Sequence, residues 1–294
     1  MDTITRATRQ GVDHEPTAPL LDVEDLVLTY AALSADGARA RRRADDGRRR
    51  ALYDLSFRIE SGERVAVVGP NGAGKSTLFK IIAGTLKPDS GDIRVFGHEP
   101  DRHICIAYVP QHNQIDWAFP VTVEDVVMMG RVGQIGLFRR SRQRDWQIVR
   151  ASLERVNAAH LAAKQIGELS GGQQQRIFIA RALAQEAELL LLDEPFTGLD
   201  MPSQETIFAV LQRLHQDGVT LLVATHDLNL AAEQFDRVML LNRTLIAFGP
   251  PDEVLTSQSL LRAYGGHMHV LSAADGALVL TDTCCEGEED HQHG

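Results

Sequence analysis

The chain has 294 residues, 44% hydrophobic and 24% charged, enough to bury a sizeable core in one large domain or two modest ones. A formal net charge of −10 argues against a surface built to neutralise a nucleic-acid backbone. Of the three cysteines, Cys284 and Cys285 are adjacent and Cys105 is remote, which excludes a disulfide framework and suits a reducing compartment.

Residues 1–20 are polar, mix acids with bases and lack an apolar h-region, so they read as a disordered leader and not a signal peptide. LDVEDLVLTY (21–30) alternates like a half-buried strand. The next twenty residues, 31–50, are rich in Arg, Ala and Gly, and read as a solvated loop insertion. A basic patch for an anionic surface is the alternative there. LYDLSFRIE (52–60) is a second strand. RVAVVG (64–69) lacks polar alternation, as in a strand covered on both faces. It runs into a glycine-rich loop and then KSTLFKIIAG (75–84), an apolar-periodic helix closed by glycine.

KPDSGDIRVFG (87–97) and ICIAYVP (104–110) are further strands, with Cys105 in the core. From about 112 to 175 helical spacing prevails, and this stretch reads as an all-helical subdomain inserted into an α/β core. Met128 and Met129 belong within it or against a partner, and Trp117 in the core or on the partner surface. Strand, helix and strand return at 188–195, 203–218 and 219–227, then a hairpin-like pair (236–249) and terminal helices (251–266). Such alternation predicts a mostly parallel sheet with helices on both faces. Residues 267–294 form a C-terminal extension ending in an acidic tail. Nowhere does an apolar run approach the ~20 residues that span a bilayer.

Three strings carry chemistry. Gly69-Pro70-Asn71-Gly72-Ala73-Gly74-Lys75-Ser76-Thr77 fits G-x-x-x-x-G-K-[ST] between a predicted strand and a predicted helix, the context that motif requires. The glycines let backbone N–H groups point inward at phosphate oxygens, and the helix N-terminus adds its dipole. Lys75 is placed to reach the β- and γ-phosphates of ATP, and the Ser76 hydroxyl to ligate Mg²⁺. Second, LLLLDE ends a buried strand in Asp193, placed to hold Mg²⁺ through water, and Glu194, placed to deprotonate the attacking water.

Third, Leu169-Ser170-Gly171-Gly172-Gln173 opens another helix and makes a second anion-binding N-terminus. One chain with one phosphate loop has no use for two cradles, so this one is expected to face the nucleotide of a partner subunit. The pattern predicts a head-to-tail dimer.

With these motifs in place, residues 22–264 resemble the ATPase subunit of an ATP-binding-cassette transporter. That resemblance implies a P-loop NTPase (RecA-like) core, an antiparallel β subdomain and an all-helical signature subdomain, spanning 21–266. It implies that Tyr30 stacks on adenine, although the family usually lacks an insertion such as 31–50 at this point. It also implies that Gln111 senses Mg²⁺ and the membrane partner, that Leu199 and Asp200 communicate across the homodimer, and that His226 contacts the γ-phosphate. The expected partner is an integral membrane permease, with the subunit on the cytoplasmic face of the membrane.

IDWAFPVTVEDVV within 111–133, FTGLD (196–200) and RAYGG (262–266) resemble the subgroup that imports zinc, manganese or iron. An extracytoplasmic metal-binding protein is then an indirect partner. Chelated iron, haem or cobalamin is the alternative cargo, and a nucleic-acid-directed cassette ATPase the rival class. The tail holds His267, His269, Cys284, Cys285, His291 and His293, donors that suit zinc but lack structural-site spacing.

Overall fold

The structure is a computed structural model, and it describes residues 18–31, 48–99, 105–111, 119–136, 139–265, 268–272 and 278–282. Its centre follows from three apolar runs: β3 (Arg64–Val68), β6 (Leu189–Asp193) and β7 (Thr220–Thr225). Every residue of β6 and β7 is buried, which a strand achieves only in a sheet covered on both faces. With β5 (Ile106–Val109), β8 (Arg237–Asn242) and β9 (Thr244–Gly249) they form a six-stranded sheet, order β5-β6-β7-β3-β8-β9. All neighbours in it are parallel except β8 and β9.

Successive side chains along these strands enter two different cores. Val65, Val67, Leu189, Leu191 and Leu222 pack with α1 (Lys75–Ile82) and an antiparallel sheet. Ala66, Val68, Leu190, Leu192 and Val223 pack with α5 (Gly171–Ala184) and α6 (Met201–Gln216). The strand ends that carry the chemistry are thus clamped from both sides; truncating one such leucine to alanine costs about 2–5 kcal/mol.

The antiparallel sheet has the order β2-β1-β4, built from β1 (Leu21–Ala31), β2 (Arg48–Ile59) and β4 (Ser90–Val95). Here one expectation needs correcting. Arg48, Arg49 and Arg50, assigned to a solvated loop from their composition, extend β2 and pair with Ala31, Tyr30 and Thr29. The backbone ladder is indifferent to side-chain polarity at a sheet edge, so pairing overrides the composition signal. Residues 32–47 of the loop and 1–17 of the leader lie outside the described residues; Leu20, also assigned to the leader, is instead buried in the core, and its carbonyl accepts from Phe96 N at 3.0 Å.

Between β5 and β6 the chain forms α2 (Val123–Met129), α3 (Val132–Ile135), α4 (Gln143–Arg155) and then α5, with no strand among the described residues. Thr122 and Asp125 make a reciprocal capping box on α2. Met128 packs against the core and Met129 is exposed. Cys105 is half-buried, and burial pushes its thiol up to about 12. Beyond α6 come α7 (Leu228–Gln234), α8 (Pro251–Val254), α9 (Ser257–Tyr264) and a hairpin of β10 (Met268–Ser272) with β11 (Leu278–Asp282). No described helix is long and apolar enough to cross a membrane.

Candidate nucleotide site

The C-terminal ends of β3, β5, β6 and β7 converge, as ligand sites of open parallel sheets do. The phosphate loop, 69–74, leaves β3 and enters α1 through Gly74, whose φ of 100° is a left-handed conformation that glycine adopts without strain. A Cβ there would also lie 2.5 Å from Leu52 Cδ2, so β2 presses directly on the loop. No side chain caps α1, which leaves its first N–H groups for a phosphate.

Lys75 is 6% exposed, and its ammonium donates to the carbonyls of Gly69 at 2.7 Å and Pro70 at 3.3 Å. Burial lowers its pKa, while the carboxylates of Glu194 and Asp193 pull it upward. Thr77, in the first turn of α1, shares a 3.2 Å hydrogen bond with the hydroxyl of Tyr30, which is otherwise 46% exposed. The arginine-rich insertion therefore does not displace Tyr30 from the phosphate loop.

Asp193 is 1% exposed at the end of β6. Burial raises its pKa; hydrogen bonds from Ser76 and Tyr108 and the charge of Lys75 act in the opposite direction. Glu194 follows with φ 49°, its N–H held by the Ala224 carbonyl of β7 at 3.0 Å. Its Oε2 accepts from Gln111 Nε2 at 3.2 Å and Thr197 Oγ1 at 3.1 Å, and His226 Nδ1 stands 3.8 Å away. Four strands thus bring Lys75, Ser76, Gln111, Asp193, Glu194 and His226 together from across the sequence.

The Ser76 hydroxyl, the Asp193 carboxylate and the Gln111 amide oxygen make a hard oxygen set whose chemistry fits Mg²⁺. Elsewhere among the described residues, no group of three His, Cys, Asp or Glu side chains could hold a metal ion. Trp117, His267, Cys284, Cys285, His291 and His293 lie outside the described residues, as does the side chain of His269.

Leu169, Ser170, Gly171, Gly172 and Gln173 form a second centre. Ser170 caps α5 and accepts from Gln173 N at 3.4 Å, while Gln173 Oε1 accepts from Ser170 N at 3.1 Å. Gly171 faces Leu199, with 3.3 Å between a Cβ placed there and Leu199 Cδ2. A Cβ on Gly172 would stand 2.6 Å from Ser203, so only glycine lets α5 start this close to α6. Asp200 caps α6, accepting from Ser203 N at 3.2 Å. Among the described residues, no hydrogen bond or ion pair joins 169–173 to the phosphate loop of the same chain.

Two residues of the first centre were not anticipated from sequence. Tyr108 donates to Asp193 Oδ2 at 3.1 Å, and burial with that carboxylate raises its pKa. Its position in the apolar run ICIAYVP hides this role, since the partner is 85 residues away. Thr197, three residues after Glu194, could have been suspected from the spacing that puts i and i+3 side chains on one side of a tight turn.

Comparison with known proteins agrees with this geometry. The model of the ABC transporter family matches residues 52–197. The manganese transport system ATP-binding protein MntB of Halalkalibacterium halodurans is 46% identical over 235 residues, covering 78% of this chain and 92% of that protein. The zinc transport system ATP-binding protein TroB of Treponema pallidum is 44% identical over 253 residues, covering 86% and 89%. Among solved structures, a chain of an inward-facing ABC transporter assigned to the metal-chelate type superposes with a TM-score of 0.72. It is 31% identical, over 90% of this chain and 96% of that one. Fold and site define a nucleotide-binding P-loop ATPase. The chain belongs to the ABC transporter family, as an ATP-binding subunit whose hydrolysis is coupled to transport.

Proposed function

We propose that this subunit powers import of a divalent metal ion, manganese, zinc or iron, through a separate permease in the membrane. The observation that carries the cargo is the 46% and 44% identity to manganese and zinc transport subunits, over nearly their whole length. It acts as a homodimer at the cytoplasmic face, and an extracytoplasmic binding protein delivers the ion to the permease.

In this reading the N–H groups of 69–74 and α1 wrap the phosphates, and Lys75 leaves its carbonyl partners to neutralise the β- and γ-phosphates. Ser76, Gln111 and, through water, Asp193 would hold Mg²⁺, which would supply further charge neutralisation on those oxygens. Glu194 takes the proton of the attacking water, with Gln111 and Thr197 orienting its carboxylate. His226, on the same carboxylate, contacts the γ-phosphate. Tyr30 stacks on adenine. Ser170 and Gly172 of the second copy close the site, and Leu199 and Asp200 relay its state, since Leu199 faces Gly171 and Asp200 caps α6, whose Ser203 meets Gly172.

Uptake of radioactive manganese, zinc and iron by cells carrying either the wild-type chain or Glu194→Gln tests the cargo. Loss of uptake of one of these ions in the variant is the expected result; equal uptake of all three contradicts it. A chelated metal is the second reading, favoured by the likeness to the metal-chelate transporter. The same assay with free and chelated iron separates the two.

A further inference from the structure

One charged trio, a buried Arg131 and Asp145 with a half-buried Glu186, has no part in the nucleotide site. Arg131 is 4% exposed, between α2 and α3. Its Nε donates to Asp145 Oδ1 at 3.3 Å, and its Nη1 to the Ala184 carbonyl at 2.8 Å and to Glu186 Oε2 at 2.9 Å. Asp145 is itself fixed in the first turn of α4, where it accepts from Arg142 N at 2.8 Å. One guanidinium therefore joins the end of α2, the start of α4 and the end of α5.

Adhesion between these helices comes from Val126, Val127, Val149, Leu153, Ile177 and Phe178. Apolar contact is non-directional and tolerates sliding. A planar guanidinium on three fixed acceptors does not. Buried ion clusters add little net stability over apolar packing of the same volume, so what this one contributes is a single register.

The other end of α2 is tied as well. Ile166 N donates to the Val121 carbonyl at 3.0 Å, Val123 N to Lys164 at 2.9 Å and Glu124 N to Ala162 at 3.0 Å. Those partners feed directly into Leu169 and Ser170. Beside Arg131 the C-cap of α2 lies hard against α5, because a Cβ on Gly130 would fall 2.2 Å from the Arg181 carbonyl. The helix is a strut, anchored by Arg131 to the last turn of α5 and by 121–124 to the segment that enters its first.

We infer that Arg131 is a positioning residue for hydrolysis: it sets the angle of this strut and so places Ser170 and Gly172 for the partner's nucleotide. The inference rests on reading Ser170 as half of a shared site. The 14 residues of α5 span about 20 Å, so a tilt of about 5° at the pinned end moves Ser170 by about 2 Å. Oriented catalysis does not tolerate such a shift.

The full-length chain carrying Arg131→Met, Arg131→Lys or Glu186→Gln is tested for affinity for a fluorescent ATP analogue and for kcat and KM. ATP-driven dimerisation is followed for each in a Glu194→Gln background. Arg131→Met should bind the analogue within about twofold of wild type, while KM rises about tenfold and dimerisation needs about tenfold more chain. Arg131→Lys should recover part of the loss, and Glu186→Gln should shift both quantities less, in the same direction. A variant that lowers Tm but leaves KM and dimerisation unchanged assigns Arg131 to folding alone and overturns the inference. Should Arg131→Met fail to fold, Glu186→Gln and Arg131→Lys decide on the same readouts, and unchanged values in both overturn it. Failure of Glu194→Gln by itself to dimerise contradicts the shared-site reading instead.

Discussion

The chain contains two helix N-termini suited to anions, and they are built differently. At α1 the cap is a left-handed glycine with no capping side chain, and a buried lysine stands beside a buried aspartate. At α5 the cap is an exposed serine locked in a reciprocal box with Gln173, and among the described residues no charged side chain bonds to it. The first is a complete charge-neutralising pocket; the second offers a preformed surface whose helix dipole and hydroxyl need a ligand brought from outside. In the proposed reading a single chain holds one centre that binds its own nucleotide and one that completes the partner's.

The comparison breaks most visibly at Glu194. Glu194→Gln keeps the side-chain size and the α1 pocket, so ATP binding should persist while kcat falls by about 10²–10⁴-fold, as measured by phosphate release. Retained turnover would place the base elsewhere. Lys75→Ala strikes the first centre alone: affinity for a fluorescent ATP analogue should fall by about 100-fold. The capping box of α5, read by amide hydrogen exchange of its first turn, should stay intact in that variant.

The second centre is sharpened by Gly172→Ala. Its Cβ would collide with Ser203, so α5 must move away from α6. Analogue binding by the isolated chain should change less than about twofold, while KM for hydrolysis rises about tenfold. Equal losses in both would mean that the two centres are one.

The smallest effect concerns pH. Burial raises the pKa of Asp193 above 3.8, so the folded form holds its proton more tightly than the unfolded chain. The associated stability is fully present below 3.8 and is lost as pH rises through the raised value. Activity needs the carboxylate ionised, so its acid limb should lie above that of an ordinary aspartate. Tyr108→Phe removes a hydrogen bond that favours the charged form, and the limb of kcat/KM should move to higher pH. An unmoved limb would detach Tyr108 from Asp193.

Much of the first centre was legible in the sequence because its determinants are local. The phosphate loop is one continuous string between a strand and a helix, and Asp193 and Glu194 are neighbours. The signature string was legible for the same reason. What escaped depends on pairings remote in sequence. Tyr108 reads as one more strand residue until β5 is laid beside β6. Nothing near Arg131 in the sequence points to its partner Glu186, 55 residues on. Arg48–Arg50 read as loop because side-chain composition says nothing of the ladder that Tyr30 offers to Arg49.

A head-to-tail dimer requires the α5 centre to serve another copy. The most direct measurement is the mass in solution of Glu194→Gln, with and without ATP and Mg²⁺, beside the same chain carrying Ser170→Arg. Glu194→Gln should become a dimer on adding ATP, while the Ser170→Arg form binds ATP with unchanged affinity and stays a monomer. A Glu194→Gln chain that remains monomeric when saturated with ATP, or a Ser170→Arg monomer that cannot bind ATP, would contradict it.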